Sequence, residues 1–194
     1  MTFYNVISAL LFVGAFRELL LALQAGALPQ LWRASLLALL VFNDAIYTSW
    51  VVETRQQKYG PTLMSLDLIN FMILSAALVF LNHSSTNVFS LDLERFAGAW
   101  LTEIRFWLLL AVYWSLIMWW TSRAGVYKLP KYPKWLIKWS LLIIALFVLQ
   151  AVVLAIFGSA SVSAVSHVGS FIAALYTAVY ILGVRNYYLR SGID

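Results

Sequence analysis

The chain has 194 residues, 63% of them hydrophobic and only 11% charged, and a water-soluble fold of this length could not cover so much apolar surface with so few charges. Its net charge of +5 does not point to nucleic acid, because most basic residues sit in short breaks between apolar runs, where membrane orientation accounts for them. The lack of cysteine excludes disulfides, thiolate metal sites, iron–sulfur clusters and a cysteine nucleophile.

Apolar stretches follow one another at 3–27, 31–52, 62–82, 99–122, 135–157 and 166–189. Each is long enough to cross a hydrocarbon core of about 30 Å. The expected fold is all-α: a polytopic membrane helical bundle of about six transmembrane helices, forming a single transmembrane domain over 1–194 with no soluble domain. The first stretch has no basic segment ahead of it and is broken by Arg17-Glu18, so it reads as a retained span rather than a cleaved signal. The breaks carry turn chemistry: Gly26 and Pro29, Gly60-Pro61, Pro130 and Pro133, then Gly158-Ser159. The longer break at 83–98 has Ser90 as a candidate N-cap followed by Asp92 and Glu94, which suits a short interfacial helix or an extension of the fourth span.

Orientation follows from Lys and Arg in the short loops. With the N-terminus inside, the inner loops hold Arg55, Lys58, Arg123, Lys128, Lys131, Lys134, Lys138, Arg185 and Arg190, and the outer loops only Arg33 and Arg95. That asymmetry predicts an N-in, C-in topology, which an odd number of spans would spoil. A three-plus-three inverted repeat is not supported, since the charged pairs of spans one and four both fall in the outer half.

Ionisable groups inside a span are costly and mark a bundle interior or a wet cavity. Arg17 and Glu18 in span one and Glu103 and Arg105 in span four lie at one depth, roughly 20 Å from the inner edge at about 1.5 Å of rise per residue. They are expected to pair across helices, Arg17 with Glu103 or Glu18 with Arg105. The plain account is mutual neutralisation, and a gate or anion contact is the functional one.

A second group is acidic. Span two carries Asn43 and Asp44 with Tyr47 and Thr48 one turn on, and span three carries Asp67 and Asn70 on one face. All lie roughly 7–12 Å from the inner edge, with no Lys or Arg at a matching depth. Two carboxylates with amide and hydroxyl oxygens make a hard, oxygen-rich site suited to a proton, Na⁺ or another hard cation. The alternative is a hydrogen-bonded polar layer that fixes helix register. His83 and His167 share the outer side and are better read as interfacial residues than as metal or haem ligands. No cofactor is expected. Lys128, Lys131, Lys134 and Lys138 alternate with Tyr132, Trp135 and Trp139, a collar for anionic lipid headgroups on the cytoplasmic face. Small residues Gly169, Ala173, Ala174 and Ala178 suit close helix packing.

Enzyme motifs are missing: there is no H-E-x-x-H and no G-x-S-x-G, leaving Asp44 and Asp67 as the one pair able to share a proton. The function expected first is an oligomeric channel or carrier for protons or hard cations, in the inner membrane of a bacterium. The alternative is a non-catalytic membrane subunit of a larger respiratory, secretion or defence complex. Both imply the bilayer, further copies or partner membrane subunits, and no nucleic acid.

Overall fold

A single apolar stretch can satisfy its own backbone hydrogen bonds only as a helix, and every regular element among the described residues is one. A computed structural model describes residues 2–26, 28–54, 60–81, 99–126, 133–157 and 162–191. Among them the elements are α1 (Thr2–Gln24), α2 (Leu28–Thr54), α3 (Pro61–Leu81), α4 (Ala99–Arg123), α5 (Lys134–Phe157) and α6 (Val162–Ser191). Four of these contain stretches long and apolar enough to cross a membrane: Val6–Gln24, Pro61–Leu81, Glu103–Arg123 and Lys134–Phe157. In α6 a shorter apolar segment runs from His167 to Gly183.

The helix ends follow local chemistry. α1 was expected to reach residue 27 but stops at Gln24, because Gly26 turns into the left-handed region at φ 64°. Gly125, at φ 71°, ends α4 in the same way. Pro29, read from sequence as part of a break, lies instead in the first turn of α2, where its missing N–H costs nothing. Pro61 opens α3, and the Gly60 carbonyl accepts from Leu63 N at 3.0 Å and Met64 N at 3.2 Å. The interfacial helix expected within 83–98 lies outside the described residues.

Packing closes the helices into a ring in the order α1, α2, α6, α5, α4, α3, with α2 also touching α3. α2 and α4 thus face each other across the middle, each flanked by two neighbours. The middle is filled from α4, whose Phe106, Trp107, Tyr113, Trp114 and Trp120 are almost wholly buried. Trp107 meets Phe147 of α5 with ring centroids 5.8 Å apart, and Trp114 meets Tyr180 of α6 edge-on at 5.2 Å. The outside is mostly aliphatic: Leu10, Val13, Leu68, Met72, Leu149, Ile156 and Leu182 are all more than half exposed. So apolar a perimeter would be an aggregation surface in water and is the natural surface for lipid.

Hydroxyls in the helices mostly satisfy themselves. Ser35, Ser65, Ser75, Ser115 and Thr121 each donate to the carbonyl four residues back, at 2.6–2.9 Å. Two glycines mark close approach between α5 and α6. A Cβ on Gly169 would overlap the buried carboxamide of Gln150, and one on Gly183 would stand 2.7 Å from the Trp135 ring. Gly169→Val should therefore lower thermal stability by about 1–3 kcal/mol. Gln150→Ala in the same chain should recover part of that loss by making room, a coupling that a double-mutant cycle reads directly. Gly60→Ala, with nothing within 4 Å of the new Cβ, serves as the control and should change stability by no more than about 0.5 kcal/mol.

Candidate functional site

α2 starts, and α3 ends, at one end of the bundle: Gln30 near the start of α2 and Leu81 at the end of α3 line the same cavity. The two helices run in opposite directions from there. Fourteen residues along α2 from Gln30 is Asp44, and fourteen residues back along α3 from Leu81 is Asp67. The two carboxylates therefore stand at the same level, roughly 20 Å along the bundle from that cavity, on helices that touch. Both are withdrawn from the surface, Asp44 at 1% exposure and Asp67 at 3%.

Asn43 and Asn70 are buried with them, Asn70 completely. Neither the Oδ1 nor the Nδ2 of Asn70 has a hydrogen-bond partner among the described residues. Leaving a buried amide unmatched costs about 1–3 kcal/mol. Of the six residues read from sequence as an acidic layer, Asn43, Asp44, Asp67 and Asn70 are inside the bundle. The side chains of Tyr47 and Thr48 lie outside the described set.

The ion pairs differ from expectation. Glu103 Oε1 accepts from Arg33 Nη1 at 3.0 Å, with both side chains largely enclosed, 10% and 15% exposed. Arg17 Nη1 contacts Glu18 Oε1 at 3.3 Å, within the same helix. Neither Arg17 with Glu103 nor Glu18 with Arg105 is formed. The reason is helical phase. α1 packs on α2 and α3, while Glu103 and Arg105, two residues apart, leave α4 on opposite sides. Glu103 turns into the ring toward α2, and Arg105 is exposed. Arg33, assigned from sequence to an outer loop, is a buried residue of α2.

Several buried polar residues carried no signal in the sequence. Tyr113 OH donates to the Leu40 carbonyl at 3.4 Å, one turn above Asp44. Ser170 and Thr177 of α6 are fully buried, and their hydroxyls have no partner among the described residues. A serine or threonine in an apolar run looks the same in sequence whether it bonds back to its own helix or faces the interior, so these two could be found only by knowing the face. The collar is present in part: Lys134 and Lys138 are exposed on the first turns of α5, and Arg123 sits 5.9 Å over the Trp119 ring at the end of α4. Lys128 and Lys131 lie outside the described residues, as does His83. His167 packs near Trp32, with ring centroids 6.4 Å apart.

Among the described residues, helices alone, four of them apolar and of membrane-spanning length, with an apolar perimeter and buried polar groups, are consistent with an integral membrane protein. The chain matches no protein-family model, and no curated protein or solved structure is similar to it.

The Arg33–Glu103 contact generates a direct test. Glu103→Gln leaves the buried guanidinium without its counter-charge and should cost about 3–5 kcal/mol, whereas the double replacement Arg33→Met with Glu103→Leu should be close to wild type. Thermal unfolding in detergent micelles reads the difference; additive losses would mean the two groups do not interact.

Proposed function

We propose that this is a six-span membrane protein of the bacterial inner membrane, with both termini inside, that moves protons or hard cations through the acidic layer of α2 and α3. The observation carrying this reading is the burial of Asp44 and Asp67 at one level on touching helices, beside an Asn70 amide that nothing described engages. Two carboxylates in an apolar interior repel each other unless a proton or a cation lies between them. The aromatic fill around α4 favours a relay, in which the ion is handed between fixed oxygens, over a water-filled pore. A bundle of six short spans is small for a carrier acting alone, and further copies of the chain are part of the proposal. The collar of Lys128, Lys131, Lys134 and Lys138 would rest on anionic headgroups at the cytoplasmic face.

The competing reading is a non-catalytic subunit embedded in a larger membrane complex. Its support is the same dense packing of Trp107, Trp114 and Trp120, which suits a rigid scaffold.

Flux of H⁺, Na⁺ and K⁺ into liposomes holding the purified protein separates the two. Asp44→Asn and Asp67→Asn are nearly isosteric and uncharged, so both variants should fold as wild type does while losing flux. A wild type without flux, or flux unchanged in both variants, would favour the scaffold. The topology has its own test, since the chain has no native cysteine. A cysteine at Lys134, exposed on α5, should react with a membrane-impermeant reagent only after the cells are opened. Labelling in intact cells would reverse the orientation.

A further inference from the structure

At the end of the bundle opposite the lysine collar, a cavity of about 430 Å³ opens between α1, α2 and α3, lined by Glu18, Leu21, Ala22, Gln24, Ala25, Gln30 and Leu81. Its size falls in the range that holds small molecules, roughly 300–1,000 Å³, and its mix of apolar wall and few polar groups is that of a ligand site. Among the described wall residues the one charged is Glu18, whose side chain is only 8% exposed.

Among the described residues the charge of Glu18 is answered by Arg17 alone. Its contact with Arg17 is a single one of 3.3 Å, from a guanidinium that is 53% exposed. Consecutive residues on a helix leave it about 100° apart and do not face each other, so Arg17 reaches Glu18 from the outer flank while the carboxylate lies against the cavity. Gln24 and Gln30 add carboxamides at the rim, and Leu21, Ala22, Ala25 and Leu81 give an apolar wall. A carboxylate that shares an apolar cavity with two carboxamides fits an amphiphilic cation: an ammonium to meet the charge and a short hydrocarbon body to meet the wall.

We propose that this cavity is a binding site for a small ammonium group carrying a short apolar chain, held by Glu18. The site stands about four helical turns from Asp44 and Asp67 and does not depend on what the acidic layer does. Alkylammonium chemistry has two sources at a membrane surface, a free amine and the ethanolamine headgroup of a phospholipid, and the experiment separates them.

The test uses full-length protein in nanodiscs of phosphatidylglycerol, with radiolabelled n-butylammonium as the probe. Saturable binding of about one probe per chain is expected, with n-butyrate failing to compete. Losing a charge-assisted hydrogen bond in a buried site should weaken affinity about tenfold or more in Glu18→Gln. Glu18→Asp, which keeps the charge, should retain most of the affinity. Ala25→Leu should weaken it by narrowing the cavity without touching any charged group. Adding phosphatidylethanolamine to the nanodiscs should lower probe binding if the headgroup is the natural occupant and leave it unchanged if a free amine is; either result supports the site. No saturable binding in wild type, or equal affinity in Glu18→Gln and wild type, would overturn the proposal.

Discussion

An ionised side chain can remain inside an apolar bundle only if a counter-charge reaches it, because removing either ion from water alone costs several kcal/mol. The contact between Arg33 and Glu103 meets that condition at 3.0 Å, and much of the remaining geometry follows from it. It joins α2 to α4, the two helices that face each other across the ring, near the N-terminal turn of each. Lower down the same pair is joined again where Tyr113 OH reaches the Leu40 carbonyl. Two contacts in the same sense along both helices make α2 and α4 parallel and fix their register, and that register sets Asp44 one turn below Leu40, inside the bundle.

The aromatic residues of α4 occupy the space between those contacts. Trp107, Trp114 and Tyr113 show no exposure at all, so the middle of the ring is filled by large rigid rings rather than by solvent. Buried polar groups lie around them: Asp67 and Asn70 on α3, Ser170 and Thr177 on α6, and Glu18 at one mouth. Ser35, Ser75 and Thr121 bond back onto their own helix backbone, whereas Ser8, Ser170 and Thr177 have no partner among the described residues. The interior holds these buried polar atoms, while exposed polar side chains include Arg17, Arg105, Lys134 and Lys138.

How much of this was readable beforehand depended on the kind of signal. Six helices were expected and six are present among the described residues, four of them with runs long and apolar enough to cross a membrane. Helix ends were read less well where proline was involved: Pro29 looked like a break but sits in a first turn, and Gly26 ended α1 earlier than hydropathy alone suggests. The acidic residues were legible because their depth follows from rise per residue, and a second count, from Gln30 and Leu81, puts Asp44 and Asp67 level. Ion pairing was not legible. Depth matched Arg17 to Glu103, but the partner is chosen by which helices are neighbours and by the phase of each side chain around its axis, and a hydropathy profile carries neither. Arg33, close to a span end, was taken for a loop residue for the same reason.

The functional account rests on ions or protons meeting the carboxylates of Asp44 and Asp67, a chemical event at identifiable atoms. Infrared difference spectroscopy on bilayer-embedded protein with ¹³C-labelled aspartate carboxyls observes it directly while H⁺, Na⁺ and K⁺ are exchanged. The account predicts label-sensitive carboxyl bands that respond to at least one of these ions and that disappear in Asp44→Asn or Asp67→Asn. Aspartate bands indifferent to all three ions, or a response that survives both substitutions, would contradict it.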